Sequence, residues 1–148
     1  MIWLAALVGA IAGAVVSYLL RILEALTQDK ANAITEHISE IERIRDLAVD
    51  YWLHDPKEDK TKELRLAVLV RGALFASAAF EKHADNILRH KRNEYSELIY
   101  ELEDASTGED FESRSREVRP EQAVLVMKAA SNLIAFLYSR RRSVFFAH

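Results

Sequence analysis

The uncharged stretch at residues 2–20, IWLAALVGAIAGAVVSYLL, constrains the fold more than any other part of the chain. A helix needs roughly 20 apolar residues to cross the hydrocarbon core of a bilayer, and this run, which Arg21 ends, has about that length. A secretory signal peptide would place a positive residue before a shorter apolar stretch. Core helices of soluble proteins are rarely apolar on every side over such a length. The sequence therefore predicts a single transmembrane helix within an anchor of residues 1–26.

Small side chains recur every four residues along this predicted span. Residues at that spacing share one face of a helix, so the small side chains form a continuous stripe. A stripe of this kind lets two backbones approach closely, and close packing drives helix association in lipid. The pattern resembles the glycine zipper of self-associating membrane helices. It predicts a homo-oligomer whose contact face consists of Ala5, Gly9, Gly13 and Ser17.

The charges next to the span predict its orientation. No Lys or Arg precedes Ile2, whereas Arg21 and Lys30 follow the apolar run. Positive residues beside a span tend to stay on the cytoplasmic side. We therefore expect a single-pass protein of the bacterial inner membrane, with a helical domain of residues 27–148 in the cytoplasm.

Composition predicts an all-α fold for this domain. The chain has four glycines and two prolines, too few for the turns of an all-β fold. No proline occurs before Pro56 and no glycine between Gly13 and Gly72, so the membrane helix can continue as a long amphipathic helix to Leu53. Apolar residues at spacings of three and four predict its buried seam. The seam comprises Ile34, Ile38, Ile41, Ile44, Ala48 and Tyr51 or Trp52.

The remaining helical signals predict a small antiparallel bundle. A second helix is expected to start at Asp59 or Thr61 and to run to about Arg92, with a bend near Asn93 before a further helical segment. Its apolar middle contains Arg71, which favours a buried bundle helix over a second span. A polar loop then leads to Pro120, which suits the first turn of the last helix. The predicted buried face of that helix is Ala123, Val126, Met127, Ala130, Leu133, Ile134 and Leu137.

Motifs for catalysis or metal binding do not occur in this sequence. Cysteine is absent, which excludes disulfides, thiolate metal sites and thiol catalysis. The histidines form no Glu-x-x-His pair and no His-Glu-x-x-His motif, and no glycine-rich phosphate loop is present. The net charge of -3 gives no overall electrostatic reason to expect nucleic acid. We therefore expect a protein that is not an enzyme and that uses no cofactor or metal ion.

Charge is nonetheless distributed unevenly. Every charged residue from Glu94 to Glu112 is acidic, whereas residues 82–92 are mainly basic. These runs indicate either a solvated surface or a docking surface between copies. Near the C-terminus, an arginine run either complements the dipole of the last helix or binds anionic lipid headgroups while aromatic side chains enter the interface. The predicted membrane-surface contacts are Arg140, Arg141, Arg142, Phe145 and Phe146.

A short anchor with a self-packing face and a small cytoplasmic helical domain is similar in outline to small bacterial membrane effectors of defence or toxin systems. This likeness implies a homo-oligomer whose domain receives a partner or signal and whose anchor helices respond by perturbing the membrane. The alternative is a passive membrane-anchored scaffold that recruits a cytoplasmic protein partner. A soluble enzyme with an ordinary buried first helix is a third interpretation.

Overall fold

A computed structural model shows the fold over residues 2–113 and 115–146, with side chains for residues 11, 13–113 and 115–144. The described residues form helices and turns and contain no strand, so the all-α prediction is confirmed. Two 3-10 turns, Ala78–Phe80 and Arg89–Lys91, interrupt the middle of the chain. The helices are α1 (Ile2–Leu53), α2 (Lys60–Ser77), α3 (Glu81–Leu88), α4 (Arg92–Thr107) and α5 (Pro120–Phe146).

The first helix, α1, is continuous over 52 residues, so no break separates the apolar segment from the amphipathic one. At a rise of 1.5 Å per residue such a helix is about 78 Å long. The predicted seam is confirmed, and both Tyr51 and Trp52 belong to it because each is fully buried. The other buried members of the seam are Ile34, Ile38, Ile41, Ile44 and Ala48.

The chain passes four times along the bundle, as expected for the predicted antiparallel arrangement of helices. The backbone N–H of Arg119 donates to the Trp52 carbonyl at 2.9 Å, so α5 begins beside the end of α1 and runs back along it. The Trp52 indole N–H donates to the Ser106 carbonyl at 3.1 Å, which places the end of α4 at the same level. Phe80 stacks on His37, so α2 and α3 also run back along α1. The helical bundle is therefore confirmed.

The bundle has two ends that differ in the segments they contain. The far end contains the turn after α1 and the loop between α4 and α5, at residues 54–59 and 108–119. The stem end lies opposite, where residues 27–30, 85–92 and 140–144 meet. We call the part of α1 that precedes this end, residues 2–26, the stem.

The predicted start of the second helix is confirmed, but its predicted length is wrong. Asp59 is the N-cap of α2, and its side chain accepts from the Lys62 backbone N–H at 3.0 Å. The two 3-10 turns divide the rest, so one helix to Arg92 does not form. Its middle is not buried all round either, because Val68 is 67% and Phe75 is 85% exposed. The helix packs mainly on α1, so its outer face stays open.

The last helix follows the predicted pattern with one exception. Pro120 is its first residue, as predicted, and most of the expected inner face is buried. Ile134 is half-buried, whereas Met127 is 42% exposed, so the prediction for Met127 was wrong. Val126 already fills the inward position there, and the next residue is turned about 100° away around the helix. The buried members are Ala123, Val126, Ala130, Leu133 and Leu137.

Among the described side chains, α5 is the helix that is long and apolar enough to cross a membrane, over Pro120–Val144. Of its most apolar window, 39% is buried inside the protein. A core helix of a bundle passes the same test of length and composition, and α5 packs against both α1 and α4. Residues 1–10 and 12 lie outside the described side chains, so the span at residues 2–20 stays a prediction.

Candidate membrane-facing end of the bundle

From residue 11 onwards, the described part of the stem runs as an exposed, mainly apolar helix. Every described side chain from residue 11 to residue 26 is exposed, and close contact with the bundle begins at Ala31, which is 1% exposed. Large exposed apolar surfaces mark sites of contact with a membrane or another protein. The exposed large side chains on the stem are Ile11, Val15, Val16, Tyr18, Leu19, Leu20, Ile22, Leu23 and Leu26.

The predicted oligomerisation stripe lies on this stem. Gly13 and Ser17 are both exposed. The side chains of Ala5 and Gly9 lie outside the described ones. A Cβ atom added to Gly13 would meet no atom within 4 Å, so this face is open in a single chain. A contact face between copies must be open in this way, and the stripe stays a prediction.

The predicted lipid-contact arginines lie at the stem end, beside the base of the stem. Arg140 is half-buried, with its guanidinium 5.7 Å from the centre of the Phe136 ring. Arg141 is half-buried and its Nε has no hydrogen-bond partner among the described atoms, whereas Arg142 is exposed. The side chains of residues 145 and 146, both phenylalanines, lie outside the described ones. Because α5 is antiparallel to α1, these arginines need no rearrangement to approach the surface from which the stem emerges.

The two ends of the bundle carry opposite charge. At the stem end, residues 27–30, 85–92 and 140–144 contain seven Arg or Lys and two Asp. At the far end, residues 54–59 and 108–119 contain seven Asp or Glu and four Arg or Lys. A basic residue near an anionic leaflet contributes about 1 kcal/mol to membrane binding. The end beside the stem is therefore the end that suits a negatively charged membrane surface.

Ion pairs within the chain neutralise some of the charged residues in both the basic and the acidic run. Lys91 Nζ lies 2.7 Å from Glu94 Oε2, and Arg92 Nη1 lies 3.0 Å from Asp85 Oδ1. At the far end, Arg119 pairs with Asp110 at 2.7 Å. These contacts fit the interpretation of the runs as a solvated surface. Five cations at the stem end differ, because among the described residues no ion pair involves Arg141, Arg142 or the three that face a common cavity, Lys30, Arg89 and Arg140.

A cavity of about 290 Å³ lies between these three cations. Lys30 reaches it from α1, Arg89 and His90 from the turn after α3, and Arg140 from α5. No Asp or Glu is among the residues that line it. Sequence analysis identified Arg140 as part of a basic run but missed the other lining groups, because only the chain reversals of the bundle bring them together.

The far end is held by a buried arginine that sequence analysis also missed. The Arg116 side chain is fully buried, and its Nε lies 3.1 Å from Glu63 Oε1. Its Nη2 donates to the His54 carbonyl at 3.0 Å, and its guanidinium lies 4.4 Å from the centre of the Tyr51 ring. These contacts fix the loop of residues 108–119 on the corner between α1 and α2. A cavity of about 750 Å³ adjoins them.

A second buried polar cluster surrounds His37 at mid-height in the bundle. The imidazole stacks on Phe80 with 4.1 Å between ring centres. Its Nε2 lies 2.9 Å from the Tyr95 hydroxyl and its Nδ1 lies 3.2 Å from Glu40 Oε2. Burial lowers the pKa of His37, and the nearby Glu40 carboxylate only partly offsets this. Burial also raises the pKa of Tyr95, so its hydroxyl stays protonated.

This cluster predicts a loss of stability in mild acid. Because the pKa of His37 is lower in the folded chain than its ordinary value of about 6.5, unfolding takes up a proton as the pH falls below 6.5. The free energy of unfolding should then fall by at most about 1.4 kcal/mol per pH unit for this one group. In His37→Gln, which keeps a polar partner for Tyr95 but does not titrate, the slope between pH 7 and pH 5 should be shallower. Urea unfolding at several pH values measures it, and equal slopes would contradict the assignment.

No family model matches this chain, and neither the curated proteins nor the solved structures yield a match. Among the described side chains, those of residues 11, 13–113 and 115–144, no group of three His, Asp or Glu is placed to hold a metal ion. Function is therefore inferred from the stem, the charged ends and the cavities of this chain.

Proposed function

We propose that this chain is a single-pass membrane protein that self-associates through its stem and holds its helical domain at the cytoplasmic surface of the membrane. The stem supports this proposal most strongly, since its described large apolar side chains from Ile11 to Leu26 are exposed and unpartnered in the single chain. Burying one such side chain contributes about 1.5–3 kcal/mol. Removal of the whole stem from water is therefore strongly favourable.

The dimensions of the stem fit a bilayer. Residues 2–20 extend over about 28 Å of helix, close to the roughly 30 Å of the hydrocarbon core. Thr27, at the base of the bundle, follows Leu20 by seven residues, which is about 10 Å along the helix axis. The exposed side chains of Ile22, Leu23 and Leu26 occupy the interval. With this placement, the basic stem end faces the headgroup layer.

The continuity of α1 supports an effector role. The same helix forms the stem and contributes the seam that packs against α2 and α5. A rotation or tilt imposed on the bundle by a partner is therefore passed to the stem, where neighbouring copies touch. Among the described side chains of the stem, the uncharged polar ones are those of Ser17 and Tyr18. A pore between such stems would be apolar and could be held closed by dewetting.

Regulated expression in bacterial cells tests the effector role. Wild-type protein should cause leakage of a small dye, because stems that pack through the stripe perturb the bilayer. Gly9→Leu with Gly13→Leu should abolish the leakage, since two bulky side chains hold the backbones apart, while the protein remains in the membrane fraction. The matched control is Ile11→Leu with Val15→Leu on the opposite face, which should leak like the wild type. Equal leakage from all three proteins would contradict the proposal.

A scaffold that recruits a cytoplasmic protein is the second candidate function. It is favoured by the outer face of α2, where Leu64, Val68 and Phe75 are 57%, 67% and 85% exposed. Absence of leakage from the wild type, together with recovery of a tightly bound partner that Phe75→Ser releases, would support the scaffold over the effector. Release of the wild-type protein from membranes by an alkaline carbonate wash would contradict both.

A further inference from the structure

We propose that the 290 Å³ cavity at the stem end binds the phosphate group of an anionic phospholipid. This inference rests on the proposed function, which places the stem end at the headgroup layer. It adds a specific ligand site to what would otherwise be a general attraction between a basic surface and an anionic leaflet.

The charge of the lining is the first support. Lys30, Arg89 and Arg140 converge on the cavity from three separate elements, and no carboxylate lines it. None of the three is in an ion pair within the part of the chain that the structure describes. Cations brought together without a counter-charge repel one another, and a bound anion relieves that repulsion. Arginine and lysine are also the side chains best suited to hold phosphate oxygens.

The backbone at Arg89 is the second support. Arg89 ends α3 with a φ of 50°, in the left-handed region that glycine adopts without strain and that other residues adopt at a cost. The chain nonetheless has an arginine at this position. Strained residues are concentrated at sites where the side chain has a task, and here the strained turn presents Arg89 and His90 to the cavity.

The mixed lining favours a lipid over a free phosphate ion. Beside the cations and His90, the cavity is lined by the apolar side chains of Ile87, Leu88 and Val144 and by the polar residues Thr27, Asn86 and Ser143. A small inorganic anion gains nothing from these apolar side chains. A phospholipid headgroup carries its phosphate next to a glycerol backbone and the first methylenes of the acyl chains, which apolar side chains can cover. The lining therefore matches a phosphate ester with an apolar neighbour.

The test uses the full chain in a neutral detergent and three probes. Short-chain dihexanoylphosphatidylglycerol should bind at least about tenfold more tightly than dihexanoylphosphatidylcholine, because the choline cation is repelled by the basic lining. Inorganic phosphate should compete weakly with the anionic lipid. Equal binding of the two lipids would overturn the proposal. If inorganic phosphate binds as tightly as the anionic lipid, the assignment to a lipid is overturned and the site takes the free ion.

Paired variants separate the site from general charge. Lys30→Gln with Arg89→Gly should weaken binding of the anionic lipid about 25-fold, at roughly fivefold for each cation. The control, Arg43→Gln with Lys128→Gln, removes the same charge from exposed positions of α1 and α5 and should change binding less than about twofold. These positions are about 20 Å further along their helices, beyond the range of screened charges.

Thermal unfolding and lipid binding of the single variant Arg89→Gly exclude a purely structural explanation. Arg89→Gly replaces a strained residue, so its unfolding midpoint should be equal to or higher than that of the wild type while lipid binding is weaker. Unchanged lipid binding in the site variant would overturn the proposal. Failure of the proposed function gives a different result from failure of the lipid site. In that case a carbonate wash would release the wild-type protein from the membrane, while its preference for the anionic lipid in detergent would persist.

Discussion

Arg116→Ala is expected to lower the free energy of unfolding by about 3–5 kcal/mol, the usual cost of removing one partner from a buried ion pair. The substitution leaves the Glu63 carboxylate, with 12% of its side chain exposed, without its cation. It also removes the donor to the His54 carbonyl and the cation that lies on the Tyr51 ring. Urea unfolding of the full chain, followed by tryptophan fluorescence, to which the buried Trp52 contributes, measures the change.

Two further variants make this prediction specific. Arg119→Ala removes the same side chain three residues away, but the Arg119 side chain is 41% exposed in its pair with Asp110, so the loss should stay below about 1 kcal/mol. Arg116→Met with Glu63→Leu replaces both charges by apolar groups and should be more stable than Arg116→Ala alone. A loss below 1 kcal/mol for Arg116→Ala would show that the loop does not depend on this arginine.

Gly9→Leu with Gly13→Leu is expected to convert the oligomer in detergent or lipid into a single copy. Small side chains permit the close packing that holds membrane helices together, and leucine prevents it. Light scattering in detergent gives the molar mass of the protein part, which should fall from a multiple of 16.9 kDa to that single value. The bundle should be unaffected, because Gly13 is exposed on the stem and a Cβ atom added there meets no atom beyond its own stretch of helix within 4 Å.

The control for this experiment changes the opposite face of the same helix. Ile11→Leu with Val15→Leu adds no bulk to the stripe, so the molar mass should equal that of the wild type. A wild-type protein that is itself a single copy in mild detergent and in lipid nanodiscs would contradict self-association through the stripe.

Local periodicity made the seam of α1 predictable from the sequence. Isoleucines at spacings of three and four lie on one helix face whatever the neighbouring helices are, and all of them are buried. The same local rules placed the cap of the second helix at Asp59 or Thr61, of which Asp59 forms it, and predicted Pro120 as a helix start. Each of these features depends on a few neighbouring residues, so a single sequence contains the required information.

Features that depend on contacts between distant segments were not predictable in this way. The break at Ala78–Phe80 contains neither glycine nor proline, and it occurs where Phe80 stacks on His37 from another helix. Arg116 looks like any other arginine of a polar loop, and its burial depends on Glu63 and on the His54 carbonyl. The exposed face of α2 follows from its place at the side of the bundle.

The candidate site also combines a feature that the local sequence predicts with features that depend on contacts between distant segments. Arg140, Arg141 and Arg142 are consecutive in the sequence, so this basic run can be recognised without a structure. That this run lies beside the base of the stem follows only from the antiparallel course of α5. The partners that it meets there, Lys30 and Arg89, are remote in the sequence and gave no local signal.

Quenching of tryptophan fluorescence by brominated lipids tests most directly whether the stem lies in the membrane while the bundle lies outside it. The chain has two tryptophans, Trp3 in the stem and Trp52, which is fully buried in the bundle. In vesicles of phosphatidylcholine brominated on the acyl chains, the wild-type protein should show quenching that disappears in Trp3→Phe, because Trp52 is beyond the reach of the bromines. Equal quenching of the wild type and Trp3→Phe, or no quenching of either, would contradict the insertion of the stem.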